Sequence, residues 1–152
     1  MKTCPICTKG SLGPAEQTLH DEVNGHVFTA MVMGETCDAC GEGIVDGRDV
    51  ERFELGVVKA LLDAGDDSPE VFRLARKTLG LTAVDLAGML RVTVETISRW
   101  ENAKHPIESM AIAILSLLVH DAANGSNATQ DALRARNLAK PLAKKVALKI
   151  AS

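Results

Sequence analysis

Four cysteines are the residues of this chain whose type and spacing most directly imply chemistry. They form two C-x-x-C pairs, C-P-I-C with Cys4 and Cys7, and C-D-A-C-G with Cys37 and Cys40. A C-x-x-C turn places two thiolates on one side of a tight knuckle, and two such turns supply the four sulfur ligands of a tetrahedral Zn²⁺ site. The sequence therefore predicts that all four cysteines bind one structural Zn²⁺.

Other uses of these cysteines fit the sequence less well. A dithiol redox motif needs one C-x-x-C near a βαβ pattern, which the sequence lacks. Disulfides are disfavoured in a reducing cytoplasm, and four thiolates leave no open position for catalysis. His20 and His26 lie between the pairs and are expected to be surface or strand residues. A thiol-based sensor or enzyme is a further hypothesis, but no nucleophile–base pair or carboxylate dyad supports catalysis, so we do not expect an enzyme.

The stretch between the cysteine pairs has the pattern of a β-hairpin. Asn24-Gly25 separates the β-like runs 18–23 and 26–33, which predicts a two-residue type I′ turn. The first 45 residues are therefore predicted to form a zinc ribbon, a hairpin between two cysteine knuckles. Because so small a unit buries little apolar area, bound zinc would supply much of its folding free energy. An apolar stripe then predicts a helix over 48–64.

A second pattern, over residues 81–106, predicts a helix, a tight turn and another helix. Thr82 and Thr93 are expected to cap the two helices, and Ile97 and Trp100 repeat at helical spacing in the second. Asn102 is expected to end that helix in the left-handed conformation. The polar residues of this segment are able to hydrogen-bond base edges or phosphates, and the predicted DNA-binding set is Thr82, Thr93, Glu95, Thr96, Ser98 and Arg99.

Composition narrows the class of protein. A chain of 152 residues with 46% hydrophobic residues has room for one domain or two small ones, and 3% aromatic residues imply an aliphatic core. No apolar run reaches the 18 or so residues needed to span a bilayer, and no apolar signal region stands at the amino terminus. We therefore expect a cytoplasmic protein without a membrane partner.

Charge is unevenly distributed along the chain. Residues 1–67 carry five basic and thirteen acidic residues, a net charge of -8, whereas residues 68–152 carry twelve basic and seven acidic residues, a net charge of +5. The basic half is suited to neutralising phosphates. The acidic half would be repelled by DNA and suits a basic protein partner, although a solvated acidic surface is an alternative interpretation.

The carboxyl-terminal third completes the predicted organisation. Residues 107–120 are predicted to form a strongly apolar helix, part of which is a candidate dimer interface. Residues 121–130 have the composition of a flexible linker. Residues 131–152 form a basic tail that is either solvated or an arm adding phosphate contacts. The predicted fold class is α+β, with a zinc-ribbon domain and its helix over 1–67, an all-α helix-turn-helix domain over 68–121, and a linker with a tail over 122–152.

The helix-turn-helix segment resembles the Cro/phage-repressor (XRE) class. The shared pattern is roughly L-T-x-x-x-L-A-x-x-L-x-V-[ST]-x-x-T-I-S-R-[WY]-E, and the resemblance covers residues 69 to about 120. Ala83 stands where that class usually has a phosphate-contacting Gln. The class also pairs an Arg of its first helix with the Glu of the S-R-x-E run, which implies a structural ion pair between Arg76 and Glu101.

A zinc ribbon, a helix and an XRE-like domain in this order resemble the MqsA-type antitoxins, including the YgiT-type zinc finger. The resemblance implies a zinc ribbon that binds a toxin, an mRNA-cleaving endonuclease, and a carboxyl-terminal domain that dimerises and binds a palindrome in its own promoter. That family reads bases with an Asn and, four residues later, an Arg; the Arg matches Arg99, but Glu95 occupies the Asn position. Since a carboxylate accepts from cytosine N4 and does not pair bidentately with adenine, a different operator is expected. The alternative is a stand-alone zinc-containing regulator without a toxin partner.

Overall fold

The structure is a computed structural model that describes residues 2–150. An antiparallel sheet in the order β1-β2-β3-β4 is formed by β1 Lys2–Thr3, β2 Ser11–Val23, β3 His26–Cys37 and β4 Gly43–Ile44. Helices follow over the rest of the described chain: α1 Gly47–Asp63, α2 Pro69–Thr78, α3 Ala83–Leu90, α4 Val94–Glu101, α5 Ser109–Ala123 and α6 Ala128–Asn137. The predicted α+β class is confirmed.

The long hairpin of β2 and β3 dominates the sheet. Its turn lies at Asn24 and Gly25, whose φ angles of 49° and 77° are those of the predicted type I′ turn. The strands extend beyond the predicted runs, because their register continues to the pairing of Leu12 with Cys37. The long ladder separates the turn from the cysteine pairs, so the two ends of the hairpin have different neighbours.

Side-chain caps fix the amino-terminal ends of the helices around the helix-turn-helix. Ser68 caps α2, with Pro69 at its first position, and Thr93 caps α4 by accepting from the Thr96 N–H. Thr82 forms a reciprocal capping box with Asp85 at the start of α3. These local hydrogen bonds satisfy amide groups that have no partner within the helix, which explains why the sequence alone locates these helix starts.

The end of α4 differs from the prediction in one residue. Asn102 has φ -102°, and Ala103 instead adopts the left-handed conformation, with φ 57°. The Asn102 side chain donates to the Ser98 carbonyl at 2.7 Å. Asn102 therefore ends the helix through its side-chain amide, and the left-handed residue is displaced by one position.

The largest apolar core lies among helices α1 to α5. Its fully buried members include Val58 of α1, Phe72 of α2, Leu86 of α3, Ile97 of α4 and Leu115 of α5. The sequence analysis placed α1 with the zinc ribbon, but α1 packs against α2 and α5 and contributes four buried residues to this core, Val57, Val58, Leu61 and Leu62. The helix-turn-helix is therefore supported by a helix from the acidic half.

The turn of the hairpin also reaches this core. Val23 is buried in it, and Phe28 is packed against it. The Asn24 amide donates to the Asp66 carboxylate at 2.9 Å and to the Ser68 hydroxyl at 3.1 Å, beside the start of α2. The distal end of the hairpin is thus attached to the helical core, while its other end carries the cysteines.

The predicted linker over 121–130 is shorter in the structure. Helix α5 continues to Ala123, and α6 begins at Ala128. The Asp121 carboxylate accepts from the Thr129 N–H at 2.8 Å, and Leu133 of α6 packs against the helical core. A linker composition gave no sign of this helix, because its stabilising contacts come from outside the segment.

Candidate metal centre and nucleic-acid interface

The four cysteine sulfurs lie together at the open end of the hairpin. All four Sγ atoms are within 4.8 Å of one another. The Cys4–Cys40 and Cys7–Cys37 sulfur distances are 3.9 and 3.6 Å. A Zn²⁺ ion with Zn–S bonds of about 2.3 Å in tetrahedral geometry separates its sulfurs by about 3.8 Å. The donor set and its spacing therefore fit one metal ion coordinated by Cys4, Cys7, Cys37 and Cys40, as predicted.

Backbone geometry brings the two knuckles this close. The Cys4 N–H donates to the Gly10 carbonyl at 2.9 Å, and the Gly41 N–H donates to the Cys37 carbonyl at 3.0 Å. Gly41, which directly follows the second cysteine pair, has φ +73° and donates its N–H to a carbonyl and not to a sulfur. The Ala39 N–H instead approaches Cys37 Sγ at 3.4 Å.

Proton affinities within the cluster show how strongly four thiolates would repel one another. The backbone N–H groups of Lys9 and Gly10 lower the pKa of Cys7 to about 6. The Glu42 N–H lowers the pKa of Cys40, but the Cys37 sulfur raises it, and with burial and the other two thiols the pKa reaches about 12. A divalent cation would relieve this repulsion and allow all four cysteines to ionise.

Gly10 is a residue of the candidate metal site that the sequence analysis missed. A Cβ atom at Gly10 would lie 2.5 Å from Cys37 Sγ and 2.6 Å from Ala39 Cβ. The Asp38 carboxylate accepts from the adjacent Ser11 N–H at 2.8 Å and helps to join the knuckles. The sequence shows only a glycine three residues after Cys7. The structure shows that the second knuckle approaches this glycine too closely for a side chain.

Helix α4 presents the predicted DNA-contacting residues at the surface. Glu95, Ser98 and Arg99 are exposed and Thr96 is half-buried, while Ile97 and Trp100 on the opposite side are buried in the core. Thr93 is exposed at the start of α4, and Thr82 is exposed at the start of α3. The structure therefore gives one buried and one polar, exposed side to the helix that the sequence predicts to enter a major groove.

Two of these residues bind each other across one helical turn. Arg99 Nη2 lies 2.6 Å from Glu95 Oε1, with side-chain exposures of 48% and 70%. Both groups are solvated, so this pair adds little to stability. In this arrangement the guanidinium of Arg99 lies along the surface of α4 beside the Glu95 carboxylate.

Arg76 and Glu101 form the ion pair that the family resemblance implied. Arg76 Nε and Nη2 donate to the two carboxylate oxygens of Glu101 at 2.6 and 3.0 Å, and Arg76 Nη1 donates to the Leu81 carbonyl at 2.9 Å. The side chains are 12% and 9% exposed. The Glu101 carboxylate raises the pKa of Arg76, and desolvation partly opposes this effect. This fork ties the last residue of α4 to α2 and to Leu81 in the α2–α3 connection.

Three histidines, His20, His26 and His120, lie outside the sulfur cluster and outside helix α4. His20 and His26 are exposed on the hairpin and lie outside the sulfur cluster. His120 Nε2 lies 3.1 Å from the Asp63 carboxylate, joining α5 to α1. Between residues 2 and 150 no helix has the length and apolar character needed to cross a membrane.

Comparison with known proteins identifies the family. A search of curated proteins gave no match. The family model described as the antitoxin component of bacterial toxin-antitoxin systems, MqsA, matches residues 1–122. The match includes both cysteine pairs, the hairpin, and helices α1 to α4 with most of α5. The resemblance inferred from the sequence is confirmed: this chain belongs to the MqsA family of antitoxin components of bacterial toxin-antitoxin systems.

Proposed function

We propose that this protein is the antitoxin of a type II toxin-antitoxin system. It neutralises a cognate toxin through its amino-terminal half and represses its own promoter through its helix-turn-helix, in the cytoplasm and without catalytic activity of its own. The observation that carries the proposal is the family match over residues 1–122 together with a polar recognition helix built on a tightly packed core.

In this proposal α4 enters the major groove of a palindromic operator. Arg99 donates to base edges, Glu95 accepts from cytosine N4, and Thr96 and Ser98 contact bases or phosphates; the caps Thr82 and Thr93 lie where phosphates approach. Because Glu95 stands in place of an amide, the operator differs from one read by Asn. The ion pair of Arg76 with Glu101 fixes the orientation of α4 relative to α2.

A homodimer would place two copies of α4 in successive major grooves, about 34 Å apart. Helix α5 supports this part of the proposal. Met110 and Leu117 are large apolar side chains of this helix with exposures of 68% and 56%, and they lie seven residues apart, two turns along one side of it. A second copy of the chain would cover them.

Toxin capture is assigned to the exposed side of the hairpin. Val27, Met31 and Met33 are each more than 60% exposed, and acidic Glu22 and Glu16 pair with Val27 and Met33 in the strand register. An endonuclease that cleaves mRNA must present cationic groups to phosphates. An apolar surface interspersed with carboxylates is complementary to such a partner. Structural Zn²⁺ on the four cysteines would keep this hairpin folded.

Two variants separate the toxin and DNA activities in one experiment. The protein is co-expressed with the product of the neighbouring gene, and growth and operator binding are both measured. Glu22→Lys with Met31→Arg should abolish the rescue of growth and leave operator binding unchanged. Arg99→Ala should weaken operator binding by about 1–3 kcal/mol, the value of a good base contact, and leave the rescue unchanged.

The proposal is overturned in two ways. A neighbouring gene product that is not toxic would leave a zinc-containing XRE-type regulator. A toxin that binds residues 68–152 and is insensitive to the hairpin substitutions would remove the role given to the amino-terminal half. The operator is obtained by selecting bound sequences from a random duplex pool, so the measurement does not assume the palindrome of any relative.

A further inference from the structure

The carboxyl-terminal segment lies beyond the part of the chain that the family model matches, which ends at residue 122. Its described part contains α6, Ala128–Asn137, and residues 138–150, which form neither helix nor strand. Residues 128–150 contain one acidic residue, Asp131, and six basic residues: Arg134, Arg136, Lys140, Lys144, Lys145 and Lys149. We call residues 128–150 the basic arm.

The basic arm is attached to the helix-turn-helix itself. Asn137 Nδ2 donates to the Gly88 carbonyl of α3 at 2.8 Å. Arg91, in the turn between α3 and α4, donates from Nη2 to the Arg136 carbonyl at 3.3 Å. Leu133 packs against the helical core. These contacts seat α6 on α3 and bring its carboxyl-terminal end to the turn before the recognition helix.

Charge placement follows from these contacts. Arg91 lies between α3 and α4 and adopts the left-handed conformation, with φ 56°. Its hydrogen bond to the Arg136 carbonyl brings the end of α6 next to the short connection that contains Thr93 and leads to α4. The pKa of Asp85 is lowered first by hydrogen bonds from Thr82 and, to a smaller extent, by the positive charge of Arg134. The Arg134 charge is therefore close enough to α3 to act on the Asp85 carboxylate in its first turn, and the Arg136 backbone carbonyl bonds to Arg91 after its last turn. Helix α6, which carries Arg134 and Arg136, therefore packs against the first helix of the motif.

Phosphates are the ligand that this arrangement fits. In a helix-turn-helix the first helix crosses the sugar–phosphate backbone while the second lies in the groove. A cationic segment fixed against that first helix is placed to meet phosphates, and α3 itself carries no basic residue. Lys140, Lys144, Lys145 and Lys149 continue the basic run after the end of α6.

We propose that the basic arm binds the DNA backbone beside α3, extending the footprint of the helix-turn-helix without reading bases. This inference rests on the proposed operator binding. The arm supplies affinity and salt dependence, and α4 supplies sequence preference. It also compensates for an acidic half that carries a net charge of -8 and would otherwise weaken association with DNA.

Salt dependence of DNA binding tests the arm directly. The probes are the selected operator duplex and a 30-bp random-sequence duplex, and the dissociation constant is measured between 50 and 200 mM salt. Neutralising Arg136, Lys140 and Lys144 with Gln should flatten the slope of log K against log salt by about 0.9 for each phosphate released. If all three bind phosphates, the affinity deficit of the variant should shrink about 40-fold between the two salt concentrations.

A matched control removes three positive charges elsewhere. Lys2, Arg48 and Arg52 lie in exposed ion pairs of the amino-terminal half, and their replacement by Gln changes net charge equally. This control should keep the wild-type slope. Both triple variants should keep the wild-type far-ultraviolet circular dichroism and melting temperature, because surface substitutions and exposed ion pairs contribute little to stability.

The remaining outcomes separate this inference from the proposed function. Equal slopes for the two triple variants overturn the arm and leave operator binding standing. A loss of self-association on sedimentation, with an unchanged slope, would show instead that the arm contacts a second copy of the chain. If the wild-type protein has no preference for any duplex in the selection, the proposed repressor function fails, whichever slope the arm variant gives on random DNA.

Discussion

The end of the hairpin that carries the candidate metal site, called the metal end below, and the helical core differ in what holds them together. At the metal end the buried cluster consists of Cys4, Leu12 and Cys37, with Cys7 and Ile44 packed against it. The helical core draws buried aliphatic and aromatic residues from five helices and from the hairpin turn. A cluster of this small size cannot offset the conformational entropy of two knuckles. A bound ion would replace apolar burial at one end of the molecule, and apolar burial suffices at the other.

This difference teaches where the two activities of an antitoxin can be separated. Helix α4, the proposed recognition helix, is fixed by apolar packing and by one largely buried ion pair, and neither involves a cysteine sulfur. The sheet connects the two ends, because its turn is joined to Asp66 and Ser68 while its strands end at Cys37. We therefore expect the knuckles to depend on metal and α4 to be independent of it.

Loss of a metal ligand should have the largest effect. Structural zinc sites hold their ion with about 10–16 kcal/mol of apparent free energy, and Cys37→Ser removes a ligand with 1% exposure. Metal content should fall well below one ion per chain, and amide exchange should become fast at residues 2–12 and 34–44. Amides of α2 to α5 should stay protected. His20→Gln is the matched control and should change neither; fast exchange throughout α4 would contradict the separation of the two ends.

Phe72→Ala should be the complementary substitution in the helical core. Phe72 is fully buried and meets Trp100 edge to face, with ring centroids 5.8 Å apart. The cavity should lower the free energy of unfolding by about 3–5 kcal/mol in urea denaturation. Metal content should remain that of the wild type. Leu142→Ala, at a side chain with 83% exposure, is the control and should change the stability by less than about 0.5 kcal/mol.

Breaking the ion pair between α2 and α4 should cost about 3 kcal/mol, because one charge is left partly buried without a partner. Arg76→Met is the substitution, measured by urea denaturation and by operator affinity. The double variant Arg76→Met with Glu101→Leu should recover much of the stability. A double variant as unstable as the sum of the two single variants would show that the pair acts by packing alone.

Gly10→Ala should weaken the metal end without touching the helices. Its Cβ would meet Cys37 Sγ at 2.5 Å, and overpacking of this kind costs about 1–3 kcal/mol. Chelator competition should show a weaker metal complex. Gly13→Ala places a Cβ with no atom within 4 Å and should bind metal as the wild type does. Equal affinities in the two variants would mean that the knuckles move apart freely.

The smallest effect should be a pH dependence at the junction of the two regions. Asp46 caps α1, and the Arg48 side chain and N–H lower its pKa from 3.8 to about 2. Because the folded-state pKa is depressed, this stabilisation is complete above pH 4 and is lost as the pH falls towards 2. Urea midpoints of the wild type and Asp46→Asn should therefore differ at pH 7 and converge at pH 2. A difference that is constant with pH would contradict the charge-based cap; metal loss in acid affects both proteins equally.

The sequence by itself determined the features that depend on neighbouring residues. Cysteine spacing predicted the clustering of four sulfurs, Asn24-Gly25 predicted the turn, and Thr82 and Thr93 predicted the starts of two helices. Each of these signals is local, since a turn or a cap needs only the dihedral angles and hydrogen bonds of a few consecutive residues. The apolar spacing of Ile97 and Trp100 likewise predicted which side of α4 is buried.

Tertiary structure alone decided which elements share a core and which groups meet. Helix α1 packs with the helix-turn-helix and not with the knuckles, and α6 docks on α3 through Asn137 and Leu133. Gly10 is required by a sulfur 27 residues away along the chain, at Cys37. The amphipathic pattern of a helix shows that one side will be buried but not against what. The partner is chosen by the three-dimensional fit of all the elements, a property that no single segment carries.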